Sequence, residues 1–384
     1  PHNWEKVSIP DVLFFQEGPG VRKWQFTQEG VKLLNGGNIN NNAINLDSTK
    51  IYISEEEAQG KYSHFMIDPG DLVIACSGIV VNKFKYKIAV IDQKHTPLCL
   101  NTSTMRFKSL GDIDLKYYAY FLQTKYFSKQ LQRLITGSAQ LNFGPSHIKK
   151  MEVLLPPLEE QKKIAAILDA ADDYRQKTKA LIDKYDQLTQ SLFLDMFGDP
   201  VTNPRRFEIV TVRDIIEEAK YGTSSKADEN GTFPYLRMNN ITYKGHMNYD
   251  NLKFINIADD QLHKYETKKG DILFNRTNSK ELVGKTGIIT TDEKMVLAGY
   301  LIRVRMKEGY NPYFLWSHLN SRWAKLTLEN MCKSIVGMAN INAQELQNLL
   351  VMNPPLKIQN QFAERVQAIE AQKAQAQASL AQAE

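Results

Sequence analysis

Cysteine is scarce in this chain. Its three thiols, Cys76, Cys99 and Cys332, are odd in number, far apart and without metal-ligand spacing. That excludes a disulfide framework and leads us to expect buried, reduced thiols. Long apolar runs are missing too, since none approaches the roughly 20 residues that span a bilayer. The opening PHNWEKVSIP lacks the apolar core of a signal peptide. These features point to the cytoplasm and away from a membrane. Charge of neither sign dominates: 48 Lys and Arg face 43 Asp and Glu, for a net +5. Such a balance permits a polyanionic partner without requiring one.

Constellations that carry chemistry are also missing. No Gly-x-Gly-x-x-Gly follows a strand, and GKT (284–286) has Ser279 where a phosphate-binding loop needs glycine. NPPL (353–356) resembles the box with which adenine methyltransferases hold a flipped base, but Leu356 cannot stack on one. The first half has Leu155 in place of the Asn, so the Pro-Pro pair reads as the start of a helix. The seven histidines do not cluster with cysteines or carboxylates at metal spacing. No nucleophile–base pair stands out. The expectation is a chain with no catalytic centre, no metal and no cofactor of its own.

What is present is a repeat, the feature that decides architecture. TGSAQLNFGPSHIKKMEVLLPP (136–157) returns as VGMANINAQELQNLLVMNPP (336–355). Gly137, Ala139 and Asn142 fall opposite Gly337, Ala339 and Asn342, and Gln161 falls opposite Gln359. Upstream, PGDLVI (69–74) pairs with KGDILF (269–274), and WEKVSIPDV (4–12) with FEIVTVRDI (207–215). Register held over separate blocks means a tandem duplication of one domain plus one connector.

Each connector reads as a long helix. Over 158–200, Ile164, Ile167, Ala171, Tyr174, Thr178, Leu181, Tyr185, Leu188 and Leu192 recur in alternating steps of three and four, a coiled-coil seam. Pro156-Pro157 marks the start, and Gly198 with Pro200 the stop. In the second copy Phe362, Val366, Ile369, Ala376 and Leu380 repeat the spacing, with Lys373 interrupting it. Seams this narrow need a partner, and connectivity makes the simplest pairing antiparallel, with an approximate two-fold relating the halves. A coil formed between two chains is the alternative. The domains themselves alternate short β-branched runs with one amphipathic helix each, at 115–134 and 312–329. The expected class is therefore α+β: two similar mixed domains with twisted, largely antiparallel sheets (1–155 and 199–353) and two coiled-coil spacers (156–198 and 354–384).

Loops rich in Asn, Ser and basic residues are the candidate binding surface. In the first domain these are Asn35, Asn38 and Asn40 in LLNGGNINNNA, and Ser77, Lys83 and Lys85 in CSGIVVNKFKYK. In the second they are Arg237, Asn239 and Asn240 in YLRMNNITYKGH, and Asn275, Arg276, Asn278, Lys280 and Lys285 in NRTNSKELVGK. The repeated phrase adds Ser138, Gln140, Asn142, Asn340 and Asn342. Arg can pair bidentately with guanine and Asn with adenine, while Lys and Ser suit phosphate. Asn-Gly stretches also simply make turns. The repeated phrase itself could bring backbone close to phosphate or pack the domain on its helix.

With these motifs assembled, the chain resembles the specificity subunits of type I restriction–modification enzymes. The likeness covers essentially the whole sequence. It rests on Pro-Pro-Leu-x-x-Gln opening a long helix at 156–161 and again at 354–359, and on RMNNI (237–241), GDILFNR (270–276) and NIN (340–342). It implies two target-recognition domains, each reading half of a split, asymmetric site on double-stranded DNA, with the helices setting the unread spacing. It implies no catalytic centre here. Two methyltransferase subunits with S-adenosylmethionine would dock on the chain and, in the full complex, so would translocating nuclease subunits that use ATP. The first domain departs from the pattern in LLNGGNI, so an Arg role is not carried to Leu34. Two rivals stand beside this reading: a coiled-coil interaction protein whose domains bind protein or glycan, and a self-contained enzyme.

Overall fold

The computed structural model describes residues 4–48, 50–135, 140–279, 282–331, 333–335 and 338–383. The chain divides into two compact units, residues 1–174 and 175–384. In unit 1, β1 (Leu13–Glu17), β2 (Leu72–Ala75), β3 (Ile88–Val90) and β4 (Thr104–Ser109) form a four-stranded sheet ordered β1–β4–β2–β3. All its pairings are antiparallel, with Met105 opposite Ile74 and Ile74 opposite Ile88. Unit 2 repeats the order with β5 (Ile216–Tyr221), β6 (Ile272–Asn275), β7 (Thr286–Ile288) and β8 (Leu301–Met306), arranged β5–β8–β6–β7. The strands β2 and β6 are buried at every residue, which is why LVIA and ILFN run apolar instead of alternating.

A smaller sheet also recurs. Val31–Leu34 takes Leu98–Leu100 in parallel and Tyr52–Ile53 antiparallel, as Phe233–Leu236 takes Val296–Leu297 and Lys253–Ile255. The first and last strands of each domain meet as well: Glu5–Ser8 pairs with Glu152–Leu155, and Glu208–Thr211 with Leu350–Asn353. That pairing accounts for the recurrence of WEKV with MEVLLPP and of FEIV with LLVMNPP. Cys76 and Cys99 are buried free thiols, each pushed up to about 12 by burial, whereas Cys332 lies outside the described residues.

The single amphipathic helix expected per domain is in each case two. In unit 1, α1 (Leu115–Phe121) stops and α2 (Lys125–Leu134) starts where the Thr124 hydroxyl accepts a hydrogen bond from Phe127 N at 3.2 Å. The long helix α3 (Leu158–Phe197) follows, ended by Gly198 at φ +83°. In unit 2, α4 (Pro312–Asn320) and α5 (Arg322–Met331) part where Ser321 Oγ accepts from Ala324 N at 3.2 Å. A hydroxyl that competes for backbone N–H ends one helix and caps the next. The last helix, α6, spans Leu356–Ala383.

The glutamine of Pro-Pro-Leu-x-x-Gln explains why that motif is written twice. Gln161 is fully buried; its amide nitrogen donates to the carbonyls of Pro156 (2.8 Å) and Asp112 (3.0 Å), and its oxygen accepts from Asp114 N (2.8 Å). Gln359 does the same in unit 2, donating to Pro354 O at 2.8 Å and accepting from Asn311 N at 2.9 Å. Asp114 and Asn311 cap α1 and α4, so each glutamine clamps the root of a long helix to the cap of its domain's helix pair.

Within unit 2, α6 runs antiparallel to the later part of α3. Near the start of α6, Phe362 meets Phe193 and Phe197 with ring centroids 5.9 and 5.1 Å apart; eleven residues on, Lys373 meets Asp186. Phe314 of α4 joins the knot, 4.8 Å from Phe197. Each such buried ring contributes about 2 kcal/mol by transfer from water. The predicted seam needs correction here. Phe362, Val366 and Ile369 of α6 face inward, but Leu181 and Leu188 of α3 are 42% and 48% exposed. The buried line on α3 passes through Thr178, Thr189, Phe193 and Phe197, with Ile182, Tyr185 and Leu192 partly covered. In unit 1, Ile164 packs on the domain core, while Ile167, Ala171 and Tyr174 are exposed. The cause is Lys373: it does not interrupt the seam but occupies it, 4% exposed, and draws Asp186 of α3 inward. A polar pair at an inner position fixes register at some cost in stability, and apolar spacing alone points one residue off.

Candidate nucleic-acid interface

The two units present the same set of turns, held by the same bonds. In unit 1 the buried Asn38 accepts from Asn35 N at 2.9 Å and donates to Asn45 O at 2.9 Å. In unit 2 Asn240 accepts from Arg237 N at 2.9 Å and donates to Asn248 O at 2.9 Å. A lysine closes each turn from below: Lys87 donates to Gly36 O (3.2 Å) and Asn40 Oδ1 (2.7 Å), and Lys285 to Met238 O (2.8 Å) and Ile241 O (2.6 Å). Burial lowers the Lys285 ammonium from its usual range.

A second turn sits alongside. Cys76 N donates to Ser103 O and Phe143 N to Cys76 O, just as Arg276 N donates to Tyr300 O and Ile341 N to Arg276 O. The Asn142 amide oxygen accepts from Ser77 Oγ (2.9 Å) and Gly78 N (2.8 Å); Asn340 accepts from Thr277 Oγ1 (3.3 Å). The two turns touch in unit 1, where Gly36 N donates to Ser103 Oγ at 2.9 Å and Asn101 Nδ2 to Asn35 Oδ1 at 2.7 Å. Beneath them the chain passes so closely that a Cβ on Gly18 would lie 2.4 Å from Asn101 backbone, and one on Gly222 2.2 Å from Leu297 O. Only glycine fits there.

These bonds correct the pairing of the halves. Asn35, not Leu34, stands opposite Arg237, and Asn142 stands opposite Asn340, not Asn342. Asn38, Asn240, Asn275 and Lys285 are buried and engaged in holding turns, and Asn342 caps the helix Ala343–Gln347 through Gln344 N and Glu345 N. These five serve the frame, although the buried Asn275 Oδ1 has no partner of its own. Outward on the same scaffold lie Asn40, Ser77, Asn142, Lys83 and Lys85 in unit 1, with Asn35 partly covered. In unit 2 Asn239 is exposed, and Arg237, Arg276, Asn278 and Asn340 are half-buried. Arg276 lies over the Tyr221 ring at 4.9 Å from its centroid, which preorients the guanidinium. Arg237 donates to Asn251 O at 3.2 Å. Ser138, Lys280 and the side chain of Gln140 lie outside the described residues.

A model of the type I restriction modification DNA specificity domain matches residues 1–184 and again 204–384. The chain belongs to this family. Among the relatives of this specificity chain, the EcoKI specificity subunit of Escherichia coli strain K12 is 24% identical over 392 residues, covering 96% of this chain and 82% of that one. The MjaVIII specificity subunit of Methanocaldococcus jannaschii is 28% identical over 198 residues, covering 50% of this chain and 46% of its own. The fold matches the crystal structure of the S subunit of a type I restriction–modification system from M. genitalium, with a TM-score of 0.60 at 18% identity over 99% of this chain and 93% of that one. A structure from a study of complex assembly in a type I system gives 0.62 at 16% identity, over 100% and 95%.

Two features of the specificity chain escape a reading of its sequence. Tyr300, 52% exposed, occupies the place of Ser103 beside Arg276; aligning STMRF with YLIRV would have found it. Spacing along the chain also predicts no metal cluster, yet the fold brings ligand atoms of Asp186, His246 and Glu370 within 4.8 Å of one another. They come from α3, a loop and α6, which no spacing rule connects. Lys373 meets Asp186 and lies 2.7 Å from His246 Nε2, and Lys244 lies 2.9 Å from Asp186 Oδ2. Burial alone would raise the Asp186 carboxyl, but His246, Lys373 and Lys244 together hold it well below the usual range. Lys244 pairs with Asp183 as well as Asp186, and Glu370 faces His246 Nδ1 at 3.6 Å, so the cluster ties the loop at 242–246 to both helices. No helix among the described residues is long and apolar enough to cross a membrane.

Proposed function

We propose that this chain is the sequence-specific, double-stranded DNA-binding subunit of a type I restriction–modification complex. Each unit reads one half of a split, asymmetric site. The observation that carries this is one scaffold with two different faces. Asn38 and Asn240, Lys87 and Lys285, and Gly18 and Gly222 build the same turns. What those turns present differs: Asn35, Gly36 and Gly37 against Arg237, Met238 and Asn239; Ser103 against Tyr300; and Arg276 where unit 1 has only the buried Cys76. A duplicated chain that keeps its framework and changes its outward side chains can recognise two dissimilar half-sites, which a homodimer on a palindrome cannot. Membership of the specificity family supports DNA as the ligand.

The chain performs no chemistry in this account. Methylation of adenine belongs to two partner methyltransferase subunits that bind S-adenosylmethionine, and translocation and cleavage to ATP-using subunits where they accompany the complex. The exposed Leu181, Leu188 and Leu194 of α3 offer an apolar line to helices of such a partner. Nothing in the scaffold favours a protein or glycan ligand over DNA. The test is to sequence modified bases in the source cell's DNA with and without this gene. Methyladenine should vanish from a two-part asymmetric site when the gene is deleted, and an unchanged methylome would reject the function. Methyl transfer by the isolated chain would reject the non-catalytic role.

A further inference from the structure

The cations of unit 1 are unevenly spread. Lys125, Lys129 and Arg133 recur every fourth residue of α2 and are exposed, so they line one face of the helix. The opposite face buries Phe127 and Leu131. Phe127 stacks on Phe84 at 5.7 Å, and Phe84 meets the edge of Phe143 at 5.7 Å. Exposed Lys83 and Lys85 flank Phe84, and Asn142, which holds the Ser77–Gly78 turn, precedes Phe143. One aromatic knot therefore carries five cations and a candidate reading turn together. None of the five joins an ion pair among the described residues; in unit 1 the carboxylates engage Lys94, Arg106, Lys108, Lys116 and Lys162 instead.

Unit 2 does not repeat this face. Counted from the matching caps Thr124 and Ser321, Lys125 corresponds to the exposed Arg322, but Lys129 corresponds to Leu326 and Arg133 to Asn330. Leu326 is 51% exposed, and the segment leading to Lys285 exposes Leu282. The buried residues behind the face stay apolar, Leu131 matching Leu328. The scaffold is kept, and of the row's three cations only the first is, as Arg322.

We propose that this basic face of unit 1 is a second contact for duplex DNA, gripping phosphates outside the half-site that unit 1 reads, and that unit 2, with Arg322 alone of the row, lacks a comparable grip. The inference rests on the DNA-binding function proposed above and adds to it a separate site and a polarity. Lys125 to Arg133 spans about 12 Å of helix, and phosphates follow one another at about 3.4 Å of duplex axis per strand. The row is thus long enough for three cations to meet three phosphates of one strand. Solvent-exposed cations without an ion pair give up little on meeting phosphate and displace counterions condensed on the duplex, which suits them to bind without reading sequence.

The test uses the full chain and the variant Lys125→Ala/Lys129→Ala/Arg133→Ala, with Lys6→Ala/Lys61→Ala/Lys94→Ala as a control for net charge. Binding to a 40-base-pair duplex carrying the recognised site is followed against salt, and again with the flank trimmed on either side. The triple variant should lower the slope of log K against log salt by about 2–3, at roughly 0.9 for each phosphate no longer neutralised. It should lose the affinity conferred by the flank beyond half-site 1. Trimming the flank beyond half-site 2 should cost far less than trimming beyond half-site 1, and the control should keep the parent slope. A parent-like slope in the triple variant overturns the proposal, and loss of partner-subunit binding in its place would mark the face as a protein contact. If the parent itself shows no salt-dependent DNA binding, the proposed function falls as well, and the two failures are thereby told apart.

Discussion

Arg276→Ala separates base reading from phosphate gripping in unit 2. The guanidinium is held over Tyr221 at 4.9 Å and its backbone is fixed by bonds to Tyr300 O and from Ile341 N, so the side chain is aimed before DNA arrives. A bidentate Arg–guanine pair discriminates by about 1–3 kcal/mol, which is about 5- to 150-fold in affinity. The variant should lose that factor on the parental site, lose nothing on DNA altered at the base Arg276 reads, and keep the affinity for scrambled DNA. Its stability should fall by no more than about 1 kcal/mol, the worth of the lost contact with Tyr221, because the side chain fills no core. Arg276→Lys should fail to restore discrimination, since an ammonium cannot make a planar fork or stack as well on Tyr221. Fluorescence anisotropy with the parental, altered and scrambled duplexes measures all of this. Equal losses on every duplex, with the salt slope lowered by about 0.9, would refute the reasoning and make Arg276 a phosphate contact.

Further expectations concern the frame. Gln359→Ala leaves Asn311 N–H and Pro354 C=O without their partner and should cost about 2–4 kcal/mol in urea unfolding; a loss under about 1 kcal/mol would deny the clamp. Asp186→Asn strands the buried Lys373 and should cost about 3 kcal/mol, while Asp186→Asn/Lys373→Met should recover most of it; a double variant as unstable as the single one would contradict the seam assignment. Because the Asp186 carboxyl is depressed, its contribution is intact above about pH 4 and should fade as pH falls below that, a loss absent from the double variant. His318 is buried against Phe193, Phe314 and Trp323, and burial lowers it to about 4. Lowered in the folded state, it takes up protons mainly on unfolding, so stability should fall by about 3 kcal/mol between about pH 6.5 and 4. His318→Phe should flatten that slope, and an unchanged slope would place the titrating group elsewhere.

Periodicity and repetition made much of the architecture legible. The doubled ends, the Pro-Pro-Leu-x-x-Gln roots and the long helices follow from spacing that covalent geometry enforces. The seam on α3 did not, because Leu181 and Leu188 outweigh Thr189 and Asp186 on any apolar scale, and the partner that reverses the choice, Lys373, lies in another helix. The helix breaks at Thr124 and Ser321 turn on single hydroxyls within otherwise continuous amphipathic runs. In the loops, composition marked the right segments but not the right residues. Asn38 and Asn239 look equally exposed in a string of letters, yet one is buried in its turn and the other is not. Tyr300 and the cluster around Asp186 depend on strand register and long-range contact, which no local window contains.

We propose that two dissimilar readers in one chain recognise one split site. Selection of bound fragments from a pool of random duplexes by the full chain, followed by sequencing, tests it most directly. Two short specified blocks of different sequence should emerge at a fixed separation, with unread base pairs between them and only one block degraded by Arg276→Ala. A palindromic or single contiguous motif, or no enrichment at all, would contradict it.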